Sequence, residues 1–386
     1  MTISRTFHTI GQGAFYSEKF RWDIDKSFTI VYDCGSSTLS DLALKKKIKQ
    51  DLGGFDIDIL FVSHFHADHT NGIKHLNPKI IFLPLLSQQQ KIILHFLNVF
   101  GIQNINEQLL WNPEQVFPDI PLVFIAPDET NETPLRENFP PININNPEFR
   151  YSKSSPLTLK NNTPIILKSQ DNGNSNLQDI WEYIPYNPYW FTNYNKLREA
   201  IQDKKLDIDK IEANPNGKYV KNNLDVIKNA FTSILPGKEN RHSMLLYSGP
   251  LKEDRKVFTE RFCHLCLRIY KIGPAAIYSG DMTISHEWID SYLNNISQNK
   301  LNLIGTIQIP HHGSHESHGE MLVEEVRKRQ TPHYQGLICA ISCGEKNSYG
   351  HPSTDLIEKI ILQEVFLHVI TEKASSFLSN SFFISF

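Results

Sequence analysis

The sequence predicts an α/β protein built in layers, and three observations predict it. Apolar, β-branched runs alternate with helical patterns through residues 1–127 and again through 240–386. Polar, chemistry-bearing residues recur just after those runs, where an open layered sheet gathers its ligands. Between the two halves, residues 128–239 change character: Pro, Asn and aromatic residues dominate, and the stretch reads as a large mixed, aromatic-rich insertion.

Taken in order, residues 7–15, with Ile10-Gly11-Gln12-Gly13 inside them, and residues 28–35 read as strands ending in turns. Glycines sit where the backbone must bend. Residues 41–50 form a helix with a Lys45-Lys46-Lys47 run on its solvated face. Residues 57–62 are a buried strand, and 79–84 are the next. Residues 88–100 are an amphipathic helix with Ile93, Phe96, Leu97 and Phe100 at helical spacing, and 122–125 are a strand. Within the insertion, 157–160 and 164–167 read as a hairpin around Asn161-Asn162-Thr163. Residues 181–191 are strongly aromatic. They are read first as a small core of the insertion, and alternatively as a stacking wall for a substrate ring. Residues 196–231 are polar and helix-like. Strands are then expected at 243–247, 275–279, 303–309, 337–342, 366–371 and 381–386, and helices at 286–296, 319–328 and 354–362.

Composition narrows the class. The chain has 386 residues, 40% hydrophobic and 21% charged, as expected of a soluble globular protein. No apolar run approaches the roughly 20 residues that span a bilayer, and the first residues lack a signal-peptide core. Five cysteines, sparse and odd in number, point to a reducing, cytoplasmic setting, and Cys263-x-x-Cys266 has no second pair for a zinc finger. A net charge of −3 supplies no global attraction to nucleic acid.

The chemistry concentrates after the strand at 57–62. Three histidines and an aspartate fall in six positions: His64, His66, Asp68 and His69. Imidazole and carboxylate suit zinc, manganese or iron. An extended backbone points His64 and His66 the same way, and Asp68 and His69 follow where the chain turns, free to face a second ion beside the first. Later strand ends add Asp281, a lone carboxylate after an apolar run, then the adjacent His311 and His312. Adjacent residues face opposite ways unless the chain turns, so the sequence does not choose between these two. His351 sits in a loop after the following strand.

His64-Phe65-His66-Ala67-Asp68-His69 resembles the HxHxDH signature of the metallo-β-lactamase superfamily. The pieces Gly11-Gln12-Gly13, Asp33-x-Gly35, Asn240-x-x-Ser243, Ser279-Gly280-Asp281, His311-His312-Gly313-Ser314 and Ser342-x-Gly344-x-x-Asn347-x-x-x-His351-Pro352 follow the order seen in the hydrolase domain of ComEC-type competence proteins. The resemblance covers both halves of the chain and skips the insertion. It implies a four-layer αββα sandwich and a site of two divalent ions, zinc or manganese. The metal ligands it implies are His64, His66, Asp68, His69, Asp281 and one or other of His311 and His312, with Asp281 shared between the ions. Asp68, His312 and His351 become the catalytic groups, His351 as a substrate-phosphate contact or proton donor. Asn240, Ser243, Ser314 and Asn347 become substrate-binding groups. Where many members carry a Gly-His-Ser/Thr turn, this chain reads Asn240-Arg241-His242-Ser243. His264, His286, His315 and His318 are left as surface or helix residues.

The function expected is hydrolysis of phosphodiester bonds by a metal-activated water, on a nucleic acid or nucleotide substrate. Two alternatives stand beside it: an ester, thioester or lactam hydrolase of the same fold, and a partner-gated effector subunit whose insertion, residues 128–239, docks a protein.

Overall fold

A computed structural model describes residues 1–127, 135–149, 156–170, 177–188, 194–234, 243–251, 257–262, 272–331 and 336–384. Asn240, His242, Cys263, His264, Cys266 and residues 189–191 lie outside them. The strands, in chain order, are β1 (Thr2–Phe7), β2 (Gly13–Arg21), β3 (Ser27–Ser36), β4 (Asp56–Phe61), β5 (Asn77–Pro84), β6 (Leu122–Ile125), β7 (Ile142–Asn143), β8 (Leu157–Leu159), β9 (Ile165–Gln170), β10 (Leu177–Tyr186), β11 (Leu245–Pro250), β12 (Val257–Phe262), β13 (Ala275–Tyr278), β14 (Ile304–Gln308), β15 (Ile338–Ser342), β16 (Phe366–Ile370) and β17 (Leu378–Ile384). They form two sheets, ordered β12-β17-β1-β2-β3-β4-β5-β6-β8 and β16-β15-β14-β13-β11-β10-β9-β7.

The sheets face each other across an apolar core. Phe7, Tyr16, Phe61 and Phe82 of one meet Leu167, Trp181, Tyr183 and Tyr278 of the other. Each such buried side chain contributes about 1.5–3 kcal/mol over its exposed state. The outer face of the first sheet packs on the helices Asp41–Leu52 and Gln88–Val99. The outer face of the second packs on the helices His286–Asn294, Gly319–Arg329 and Thr354–Ile361. The order is therefore helix, sheet, sheet, helix: an αββα sandwich. No helix among the described residues is long and apolar enough to cross a membrane.

A charged network sits inside the intersheet core. Arg5 is fully buried and donates from Nε to Glu18 Oε1 at 2.6 Å. Glu18 also accepts from Ser248 Oγ at 2.7 Å, from Tyr278 Oη at 2.9 Å and from Tyr183 Oη. Trp181 Nε1 donates to Ser248 Oγ at 2.8 Å and completes the chain. A buried charge is tolerable only with such pairing.

The stretch 128–239 departs from the sequence reading. Its strands are part of the sandwich: β8 extends the first sheet beside β6, and β7, β9 and β10 extend the second. The expected hairpin of 157–160 with 164–167 does not form, because β8 and β9 belong to different sheets. The Asn161–Thr163 turn, with Asn162 at φ 60°, carries the chain from one sheet to the other. Asn161 fastens it by donating to Asn187 O (3.0 Å) and accepting from Asn187 N (2.8 Å). Apolar neighbours β6 and β10 outbid the local turn.

The aromatic run also resolves differently. Trp181, Tyr183 and Tyr186 are buried along β10 and build no exposed wall. The helix-like stretch is four helices, Tyr194–Asp203, Ile208–Ala213, Lys218–Asn222 and Leu224–Ile234. They cover the Gln88–Val99 helix, with Phe231 edge-on to Phe96 (6.0 Å between centroids) and Phe100 (5.3 Å).

Candidate metal centre

The motif loop begins directly after β4. His66 has extended backbone (φ −65°, ψ 145°) and precedes the short helix Ala67–Thr70, whose Thr70 Oγ1 donates back to His66 O at 2.8 Å. The loop is seated against the β2–β3 corner. A Cβ on Gly35 would lie 2.6 Å from the Asp68 carbonyl carbon and the Thr70 nitrogen, so that approach needs glycine. This is a physical reason for the Asp33-x-Gly35 piece.

Asp281 follows β13 and Gly280 at the centre of the site. Its backbone N–H donates to Ser243 Oγ at 3.0 Å, and Gln308 Oε1 holds Ser279 N and Gly280 N at 2.6 and 2.8 Å. Ser285, not Asp281, caps the helix that follows. The two oxygens of Asp281 face different histidines. Oδ2 lies 3.8 Å from both His64 Nε2 and His66 Nδ1; Oδ1 lies 2.9 Å from His69 Nε2 and 3.7 Å from His312 Nε2. Donor atoms of His64, His66 and Asp281 all fall within 4.8 Å of one another, as do those of Asp68, His69 and His312.

The adjacent histidines take left-handed backbone, φ 50° at His311 and 55° at His312. That turn brings both rings to the same side. His312 is buried, with Nδ1 donating to Ser342 O at 2.9 Å and Nε2 placed 3.1 Å from Asp68 Oδ2. His311 stands further out, its Nε2 3.9 Å from Asp281 Oδ2 and its ring 5.7 Å from that of His351. The structure thus draws His312 into the closer group, a choice the sequence left open.

One residue of the site was quoted in the sequence motifs but given no role. Asp33, buried with φ 55°, accepts from Ser63 N (2.7 Å), Ser63 Oγ (2.6 Å) and His69 Nδ1 (2.8 Å). A carboxylate on the far nitrogen of a ligand histidine fixes its tautomer and aims its other nitrogen. The available signal was close to the one used for Asp281: a lone acid directly after the apolar run 28–32. Replacing Asp33 with Asn is expected to weaken divalent-ion affinity about 10- to 100-fold with the circular dichroism spectrum unchanged. Competition against a chelating indicator measures it, and unchanged affinity would remove Asp33 from the site.

These donors fit divalent ions. With Nδ1–H of His69 given to Asp33, its Nε2 points at Asp281 Oδ1 only 2.9 Å away, and without a proton or cation between them both atoms are acceptors. Two acceptors that close require a proton or a cation between them. The 3.8 Å separations are too long for hydrogen bonds. They approach the about 3.4 Å expected between two ligands of one tetrahedral ion with bonds of about 2.1 Å. Electrostatics agree. Burial opposes ionisation of Asp281, but the charges of His69, His312 and His311 hold its carboxyl well below the usual range. Burial likewise opposes Asp68, yet the hydrogen bond from His312 and the charge of His69 bring it down to about 2. Burial disfavours a charged His69, but Asp281 and Asp33 raise it well above the usual imidazole value. The site is acidic and seeks positive charge.

Other expected positions fall as follows. Ser243 lies behind Asp281, and Ser314 lines the cleft. Asn347 spends its amide on its own loop: Nδ2 donates to Gly344 O and His351 O, and Oδ1 accepts from Tyr349 N and His351 N. It shapes the loop rather than facing the cleft. Burial, with the charges of His311 and His312, pushes His351 down to about 4, so its ring is neutral at pH 7 and offers a single N–H. His315, at the cleft rim, pairs with Asp355 at 3.1 Å, and His318 is half-buried near Glu320.

No curated protein matches the chain. Residues 23–88, which run from the start of β3 through the histidine motif to the end of β5, match the model of the metallo-beta-lactamase superfamily, and that match, on an αββα sandwich with clustered histidines and aspartates, implies a metal-dependent hydrolase.

Proposed function

We propose that this chain is a binuclear, metal-dependent phosphodiesterase. The observation that carries the reading is the split of Asp281, with one oxygen toward His64 and His66 and the other toward His69 and His312. A carboxylate placed so could ligate with each oxygen toward a different histidine pair. His64, His66 and Asp281 would hold the first; Asp68, His69, His312 and the same Asp281 would hold the second. The motif order shared with the hydrolase domain of ComEC-type proteins supports phosphorus over a carbonyl carbon as the centre attacked. Zinc and manganese both suit the donor set.

A bound pair of divalent ions supplies Lewis acidity and positive charge, which strengthens water as a nucleophile and offsets charge on the phosphoryl oxygens. The chain's own groups do the rest. Asp33 and Ser342 O fix the rings of His69 and His312, so those nitrogens need not reorganise. Asp68 stays ionised and orients the attacking water by accepting a hydrogen bond from it. The water oxygen bonds to phosphorus, one ester P–O bond breaks, and the proton passes to the departing oxygen. The products are a monoester and an alcohol. Neutral His351 and the outer His311 face the cleft, where an N–H can donate to the phosphoryl group.

The test crosses metals with substrates. Purified chain loaded with zinc or with manganese is assayed on linear and circular DNA, RNA, cyclic dinucleotides and a bis-aryl phosphodiester. The double variant Asp68→Ala, His69→Ala serves as control. Activity that falls at least about 100-fold in the variant is expected. Wild type and variant equally inactive, with two ions still bound to the wild type, would sink the reading in favour of a carboxylic ester, thioester or lactam substrate.

A further inference from the structure

The open side of the metal centre is a cleft of about 940 Å³, the size of a small-molecule site. Two features of its wall select among phosphodiesters. The first is charge. Among the described residues, the cleft's ionised side chains other than histidine are Asp68, Asp281 and Glu316, all carboxylates. Bound ions would neutralise the two aspartates at the floor, but Glu316 stays exposed at the rim. A polyanionic strand is held by cations along its track; the described rim offers a carboxylate there instead.

The second feature is an aromatic platform. Tyr349 is 69% exposed, unusual for so large a ring, and lines the cleft mouth. It is not loose. Its ring lies 13° from parallel to His351, with centroids 5.8 Å apart, and His351 in turn stands 5.7 Å from His311. Asn347 pins the loop beneath both through four hydrogen bonds to backbone groups. The tyrosine face is thus held one ring further out than the histidines nearest the reacting centre.

Resting on the phosphodiesterase reading, we infer that the substrate is a compact, nucleotide-sized phosphodiester whose aromatic ring stacks on Tyr349 while its one phosphoryl group meets the metal centre. Tyr349 is then a specificity-determining residue, and Asn347 a positioning residue that acts through it. A base stacked on an aromatic side chain gains enough to change affinity by roughly 5- to 150-fold.

Two esters with the same leaving group isolate the effect. One is the p-nitrophenyl ester of thymidine 5′-monophosphate; the other is methyl p-nitrophenyl phosphate, which has no base. With manganese-loaded protein, the ratio of kcat/KM between them is expected to favour the nucleoside ester. It should fall about tenfold in Tyr349→Ala and hold in Tyr349→Phe. Isothermal titration with thymidine 5′-monophosphate gives a readout free of turnover: Kd rises by a similar factor in Tyr349→Ala, and Kd for inorganic phosphate changes less. An unchanged ratio in Tyr349→Ala, or a single-stranded DNA cleaved with higher kcat/KM than the nucleoside ester, overturns the inference and leaves the phosphodiesterase reading intact. Tyr349-dependent nucleotide binding with neither ester cleaved by the two-ion protein removes the phosphodiesterase reading and the substrate assignment with it, and leaves only a nucleotide-binding platform.

Discussion

Asp281→Asn is expected to lower bound metal from two ions per chain to fewer than one and to lower kcat on any phosphodiester by at least about a thousandfold. The argument is geometric. No other described carboxylate has one oxygen within 4 Å of His64 and His66 and the other within 4 Å of His69 and His312. Asparagine keeps the shape but removes the charge and turns one oxygen into an N–H₂ donor, which cannot ligate a cation. The backbone anchor survives, because Ser243 Oγ takes the Asp281 N–H and not its side chain. The circular dichroism spectrum should therefore match wild type. Elemental analysis after dialysis against excess metal reads the stoichiometry. Two ions retained in the variant would mean that Asp281 does not join the groups, and the binuclear centre would have to be rebuilt around Asp68.

Arg5→Met is expected to destabilise the fold by about 3–5 kcal/mol, because it strands the Glu18 carboxylate in the intersheet core. Urea unfolding measures it, and the pH dependence separates a lost charge from lost packing. In the wild type, burial pushes Glu18 up, but the charge of Arg5 and the hydrogen bonds from Tyr183 and Ser248 hold it below the ordinary glutamate value. That contribution is full above about pH 4.3 and is lost as the pH falls through the folded value. Without Arg5 the charge that most opposes burial is gone, only the hydroxyl donors remain, and the folded value rises above the unfolded one. The variant's deficit should be largest near pH 8 and shrink as the solution is acidified. Adding Glu18→Gln should recover most of the loss. A deficit flat from pH 5 to 8 would assign it to packing.

Local chemistry made much of this legible, and distance hid the rest. The run at 57–62 and the ligand cluster behind it are contiguous, so strand and site could be read together. Asp281 stood out because a carboxylate after a wholly apolar strand demands a partner. Asp33 comes close to the same criterion, yet its partners are Ser63 and His69, 30 and 36 positions away. The choice between His311 and His312 depended on two positive φ values that side-chain identity does not announce. The 157–167 segment failed for a different reason. Its turn residues suit a hairpin, but β6 and β10 offered each arm a better-buried neighbour. The aromatics of β10 look the same in sequence whether they face solvent or core; the second sheet put them inside.

The pairing of β1 with β17, Thr2 opposite Phe383 through Phe7 opposite Leu378, has a consequence for how the molecule comes into being. β1 completes this edge only when β17 has folded beside it, and the histidines of the first half wait for Asp281 and His312 of the second. Closing so long a loop defers its reward until β1 and β17 meet, which slows folding and leaves that edge of β1 exposed meanwhile. On a translating ribosome the motif loop would emerge with its ligands but without their partners, able to capture a metal loosely and unable to use it. The metal centre can therefore be completed only once residues 281–312 have been made and have folded against the motif loop.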